Sequence, residues 1–104
     1  MSFKHYQVFV SPVADHKLAI HIEFLARVSE KAAVRLYESY KEALWFLRDS
    51  PKSCPFYIPK ISIDAELRYK LINKRYRVVF EIVDNNVYVY DVQDCRQNID
   101  KNLI

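Results

Sequence analysis

An α+β fold, with a helical hairpin laid on one face of a β-sheet in the order β-α-α-β-β-β, is what this sequence predicts. Three observations carry that expectation. Two stretches with helical apolar spacing each begin on a serine and lie only a few residues apart. Three later stretches of strand length are rich in Val, Ile, Tyr and Phe. With 104 residues, 51% of them apolar, the chain has enough material for one core and reads as a single domain over 1–104.

Taken in order, Tyr6 to Val10 predicts a short strand. Ser11-Pro12 then supplies a cap and a proline at the first helical position. Ala14, Leu18, Ile22 and Leu25 follow at helical spacing, which predicts a helix from about Pro12 to Arg27. Ser29 caps a second helix, in which Ala33, Leu36, Tyr40, Ala43 and Leu47 keep the three-four spacing until Asp49-Ser50-Pro51 ends it. So short a join predicts an antiparallel helix pair. Residues 51 to 66, with Pro51, Pro55 and Pro59, read as a connector holding one extended piece around Ile61 to Ile63. Strands are expected over Leu67–Ile72, Tyr76–Val83 and Val87–Asp94, and residues 99–104 as a weak helical turn.

Composition removes several functions. The chain contains no glycine, so a P-loop, a dinucleotide-binding turn and a nucleophile elbow are all excluded. Turns that need positive φ must use asparagine instead, and Asp84-Asn85-Asn86 supplies such a turn. No apolar run is long enough for a membrane helix, and the N-terminal residues lack the pattern of a signal peptide, so a cytoplasmic location is expected. Cys54 and Cys95 then read as reduced thiols, with a bridge between them as the alternative. His5, His16 and His21 do not form a metal set, because the last two are five apart on a helix and no further ligand completes them. No cofactor is implied.

The net charge of +3 is mild, but it is unevenly placed. Residues 67 to 77, LRYKLINKRYR, hold Arg68, Lys70, Lys74, Arg75 and Arg77 and no acidic side chain. Tyr69 and Tyr76 stand among them, a mixture suited to phosphates and base stacking. Two-residue loops at Asn73-Lys74 and at Asn85-Asn86 would pair Lys70 with Arg77 and Arg77 with Asp94. Alternation would then gather Arg68, Lys70, Arg77 and Arg96 on one sheet face, with Tyr90 beside them, leaving Val78, Phe80, Ile82 and Val89 for the helices. One additional residue in either loop would scatter the cluster.

With those residues in view, the chain resembles the RelE/ParE superfamily of bacterial type II toxins over nearly its whole length. The resemblance rests on S-P-x-A before the first helix, P-x-x-x-P after the second, L-R at 67–68, Y-R at 76–77, the runs YRVVFEI and VYVYDV, and the closing C-R-Q-N-I. It implies a small twisted antiparallel sheet and a cognate antitoxin that wraps and neutralises the toxin. RelE-like members cleave mRNA on the ribosome with sheet arginines and lysines, positions that correspond here to Arg68, Lys70, Arg77 and Arg96. ParE-like members poison DNA gyrase and have no established catalytic set. The chain has no histidine after His21 and no tyrosine after Tyr90, so the usual late acid or base of RelE-like members is missing. Together with the long proline-rich connector, that favours ParE-like action, with mRNA cleavage and a non-toxic binding module as the alternatives. Arg68, Lys70, Arg75, Arg77, Tyr90 and Arg96 are the candidate target-binding residues. The plain structural alternative is that Arg77 and Arg96 merely pair with Asp94, Glu81 or Asp91.

Overall fold

The computed structural model describes residues 5–96. Strand β1 (Gln7–Val10) leads into helices α1 (Pro12–Ala26) and α2 (Glu30–Asp49), followed by a single 3₁₀ turn at Pro51–Ser53. Then come β2 (Phe56–Tyr57), β3 (Leu67–Ile72), β4 (Tyr76–Val83) and β5 (Asn86–Asp94). The expected helical tail at 99–104 lies outside the described residues.

Local chemistry places both helices where the sequence puts them. The Ser11 hydroxyl accepts from the Ala14 N–H at 3.1 Å, and the Ser29 hydroxyl accepts from the Ala32 N–H at 3.2 Å. Each satisfies an N–H that the first helical turn would otherwise leave unpaired. Ala14 and Leu18 of α1 and Leu36, Tyr40, Ala43 and Leu47 of α2 bury against Ile72, Tyr76, Val78, Phe80, Val87, Val89 and Val92 of the sheet. The expected helix-bearing face is therefore the core.

The sheet has five strands in the order β1-β5-β4-β3-β2 and is mixed rather than wholly antiparallel. β1 runs parallel to the first half of β5, from Gln7 opposite Asn86 to Val10 opposite Val89. Beyond Val89 the edge of β5 would be bare, and α1 covers it. Ser11 N–H donates to the Val89 carbonyl at 2.9 Å, the Ser11 hydroxyl to that of Tyr90 at 3.2 Å, and the His21 Nε2–H to that of Val92 at 2.8 Å. A helix laid along an edge in this way removes a template for unwanted strand pairing. The connector does contain an extended piece, but at Phe56–Tyr57, directly after Pro55, and not at Ile61 to Ile63; it pairs with Leu67 and Arg68.

Register is where the sequence reading fails. The β3–β4 loop has three residues, since Ile72 pairs with Tyr76, and its Asn73 and Lys74 take φ of 50° and 55°. The β4–β5 loop is Asp84-Asn85, with Val83 opposite Asn86 and φ of 55° at Asp84. A bulge then leaves Tyr90 unpaired, because Phe80 meets Val89 while its neighbour Val79 meets Asp91. Each odd step inverts the faces. Leu71, Arg77 and Gln93 consequently cross the sheet on the face away from the core, whereas Lys70, Val78 and Val92 cross on the core face.

Candidate functional site

The four cations expected side by side are dispersed. Arg68 projects at the rim of the core face, where its guanidinium lies 4.2 Å from the Phe56 ring centre and its Nη1 donates to the carbonyls of Lys52 (3.0 Å) and Cys54 (2.7 Å). It clamps the proline-rich connector. The Lys70 ammonium sits 4.5 Å from the Phe46 ring centre, against α2. Arg77 is on the other face, 5.5 Å from the Tyr57 ring centre, and its Nε is buried without a hydrogen-bond partner. Arg96 returns to the α1 side, where it shares a cleft with Ile20, His21 and Phe24. Arg77 and Arg96 thus lie on contrary surfaces, and no common anion site joins the four residues.

Arg75 and Tyr90 are also engaged locally. Arg75 grips both oxygens of Asp94, with its Nη2 2.8 Å and its Nε 3.2 Å away. Burial opposes the charge on Asp94, but the Arg75 hydrogen bonds, the Arg96 N–H at 2.9 Å and the positive charges of both arginines outweigh it, holding the carboxyl below its ordinary range. The hydroxyl of the bulged Tyr90 donates to Glu81 at 2.6 Å, and that bond, with burial, pushes its pKa up to about 12.

Two assemblies emerge that the sequence reading did not anticipate. One is a cleft of about 500 Å³ between α1 and the end of the β4–β5 ribbon, walled by Ile20 and Phe24 on one side and by Arg75, Tyr76, Asp94 and Arg96 on the other. The other is a buried polar chain. Lys17 Nζ lies 2.9 Å from Asp91, whose other oxygen accepts from Gln93 Nε2 at 3.0 Å, and Gln93 in turn meets the Tyr57 hydroxyl at 3.0 Å. Asp91 is fully buried and also caps the Val92 N–H at 2.9 Å. Lys17 and His21, four apart on α1, share one helix face, and that spacing was the signal available in the sequence.

Neither assembly has the parts of a nucleophile–base pair. The His21 ring is committed through Nε2–H to a backbone carbonyl, and burial lowers its pKa, so it stays neutral near pH 7. Burial pushes the Cys54 thiol up, away from a reactive thiolate. Among the described residues no group of three His, Cys, Asp or Glu side chains could hold a metal ion, and no helix is long and apolar enough to cross a membrane. What the cleft offers is binding chemistry: an apolar wall facing two guanidinium groups that share one carboxylate.

The whole therefore defines an α+β protein in which a helical hairpin packs on a five-stranded mixed sheet, the fold implied by the RelE/ParE resemblance. A solved structure described as the chromosomal ParDE TA system from P. aeruginosa contains a chain of this fold, with a TM-score of 0.65 at 10% identity, covering 88% of the present chain and 97% of its own. At that identity the likeness speaks to fold. No family model matches the sequence, and no curated protein is similar to it.

Proposed function

We propose that the chain is the toxin of a type II toxin–antitoxin pair, acting in the ParE manner by poisoning DNA gyrase and neutralised by a cognate antitoxin. The observation that carries this reading is the fold shared over 88% of this chain with 97% of a chain of the ParDE system. The dispersal of Arg68, Lys70, Arg77 and Arg96 supports it against the alternative of mRNA cleavage on the ribosome. Phosphodiester cleavage without a histidine would need several cations focused on one phosphate, and the register sends Arg77 to the face opposite Lys70. Expression in bacteria without an antitoxin should then arrest growth with filamentation and DNA-damage signalling. Ribosome-dependent mRNA cleavage with supercoiling intact would replace this reading with the RelE-like one. Harmless accumulation of folded protein would leave a non-toxic binding module.

A further inference from the structure

The turn between β3 and β4 holds a residue that backbone preference does not favour. Positive φ occurs at Asn73, Lys74 and Asp84 among the described residues. Asparagine and aspartate tolerate that region because their short side chains can hydrogen-bond locally. Lysine gains no such help, so Lys74 at φ of 55° is the exception. Backbone held against its preference is common in ligand clamps.

Nearby contacts fix where this turn presents its charges. The Ser39 hydroxyl donates to the Asn73 side-chain oxygen at 2.7 Å, which ties the turn to α2. Arg35 stands one helical turn before Ser39, on the same side of α2. The Arg75 N–H donates to the Ile72 carbonyl at 3.2 Å, and the Cys95 N–H to the Arg75 carbonyl at 2.7 Å. The result is a hollow of about 390 Å³ that brings Arg35, Lys74 and Arg75 together beside Leu25, Ala32 and Tyr76. Among the described residues no carboxylate lines it. Glu30, an acid on the first turn of α2, lines a different hollow and is balanced there by Lys31.

Arg75 and Tyr76 also line the cleft that holds Arg96, so the two hollows meet at these residues. Together they carry Arg35, Lys74, Arg75 and Arg96 against the single carboxylate of Asp94. The excess of three positive charges equals the +3 of the whole chain, so the remainder of the molecule is balanced. Arg75 is committed to Asp94, whereas Arg96 lies 4.0 Å from it with 66% of its side chain in solvent. Arg35 and Lys74 have no ion-pair partner among the described residues.

We propose that this rim grips the phosphodiester backbone of duplex DNA, with Arg35, Lys74 and Arg96 each meeting a phosphate while Arg75 holds Asp94 back from them. The inference rests on the gyrase reading only in naming DNA as the source of the phosphates. Phosphates recur at short intervals along a strand, which suits a row of separate cations. A single strand fits less well, because its binding relies on open rings and the ring at the turn, Tyr76, is 2% exposed.

The test is binding of the purified chain to a short labelled DNA duplex, followed by fluorescence anisotropy from low to physiological salt. Three phosphate contacts predict a dissociation constant on the order of 10⁻⁴–10⁻⁶ M and a slope of log K against log salt of about −3. Arg35→Gln, Lys74→Gln and Arg96→Gln should each reduce the steepness of that slope by about 1. Lys41→Gln, which removes a cation stacked on Tyr37 elsewhere on α2, should leave it unchanged. Thermal melts establish that each variant is folded. Absence of binding at low salt, or the same slope in the rim variants as in the parent chain, would overturn the proposal. Tighter binding of poly-glutamate or of an RNA duplex, weakened by the same variants, would assign the rim to that ligand and overturn it as well. Gyrase takes no part in this assay, so a failure here leaves the toxin reading standing. DNA binding through the rim with gyrase unaffected would refute the gyrase reading and leave the rim in place.

Discussion

Replacing Asp94 by asparagine keeps its size but removes the charge on which the end of the β4–β5 ribbon is organised. The Asp94 side chain is 5% exposed and that of Arg75 is 21% exposed, with three contacts of 2.8 to 3.2 Å between them. A hydrogen bond to a charged partner contributes about 1.5–3 kcal/mol, and breaking a fully buried ion pair costs about 3–5 kcal/mol. Arg75 keeps partial access to water, so the low end applies and Asp94→Asn should cost about 2 kcal/mol. For a domain of this size that corresponds to a melting temperature lower by roughly 8–15 °C. The effect should also depend on pH. Because the carboxyl is held below its ordinary value in the folded state, its stabilisation is present above about pH 4 and is lost as pH falls through the folded value. Urea titrations of both proteins from pH 7 to pH 3 check this. A gap under 0.5 kcal/mol at pH 7, or one that stays constant to pH 3, would refute the role given to the ion pair.

Other consequences are as direct. His21 has a lowered pKa from burial, so its neutral form stabilises the fold above the unfolded value near 6.5, and stability should decline as pH drops from there toward the folded value; in His21→Gln the slope of urea midpoints between pH 7 and 5 should flatten. Lys74 holds φ of 55°, a conformation costing a non-glycine residue roughly 1–2 kcal/mol, so Lys74→Gly should raise the melting temperature by a few degrees. Tyr40 and Tyr90 both have pKa values near 12, through burial for Tyr40 and the Glu81 hydrogen bond for Tyr90. An ultraviolet titration of Tyr90→Phe should therefore lose one late phenol ionisation and leave the earlier ones unchanged.

Helix limits were legible because they are set by neighbours in sequence. Ser11-Pro12, Ser29 and Ser50-Pro51 mark the ends of α1 and α2 to within a residue. The strands β3 and β4 were equally plain from their β-branched and aromatic content. Register was not, because the devices that set it left little trace. Glycine usually announces a left-handed turn position, and here Asn73, Lys74 and Asp84 take those positions instead. The bulge at Tyr90 sits within an unbroken strand-like run, VYVYDV, and carries no marker of its own. The three-residue loop at 73–75 and the bulge each change parity, so a reading that was right about β3, β4 and β5 placed Arg77 on the wrong side of the sheet relative to Lys70. The parallel pairing of β1 with β5 joins residues about eighty apart, a distance over which local pattern has no reach.

A supercoiling reaction with purified gyrase, relaxed plasmid and the purified chain tests the functional reading most directly. Loss of supercoiling with accumulation of cleaved plasmid, reversed by adding the antitoxin, is the expected outcome. Full supercoiling at a concentration of the chain that cleaves mRNA on ribosomes would contradict it.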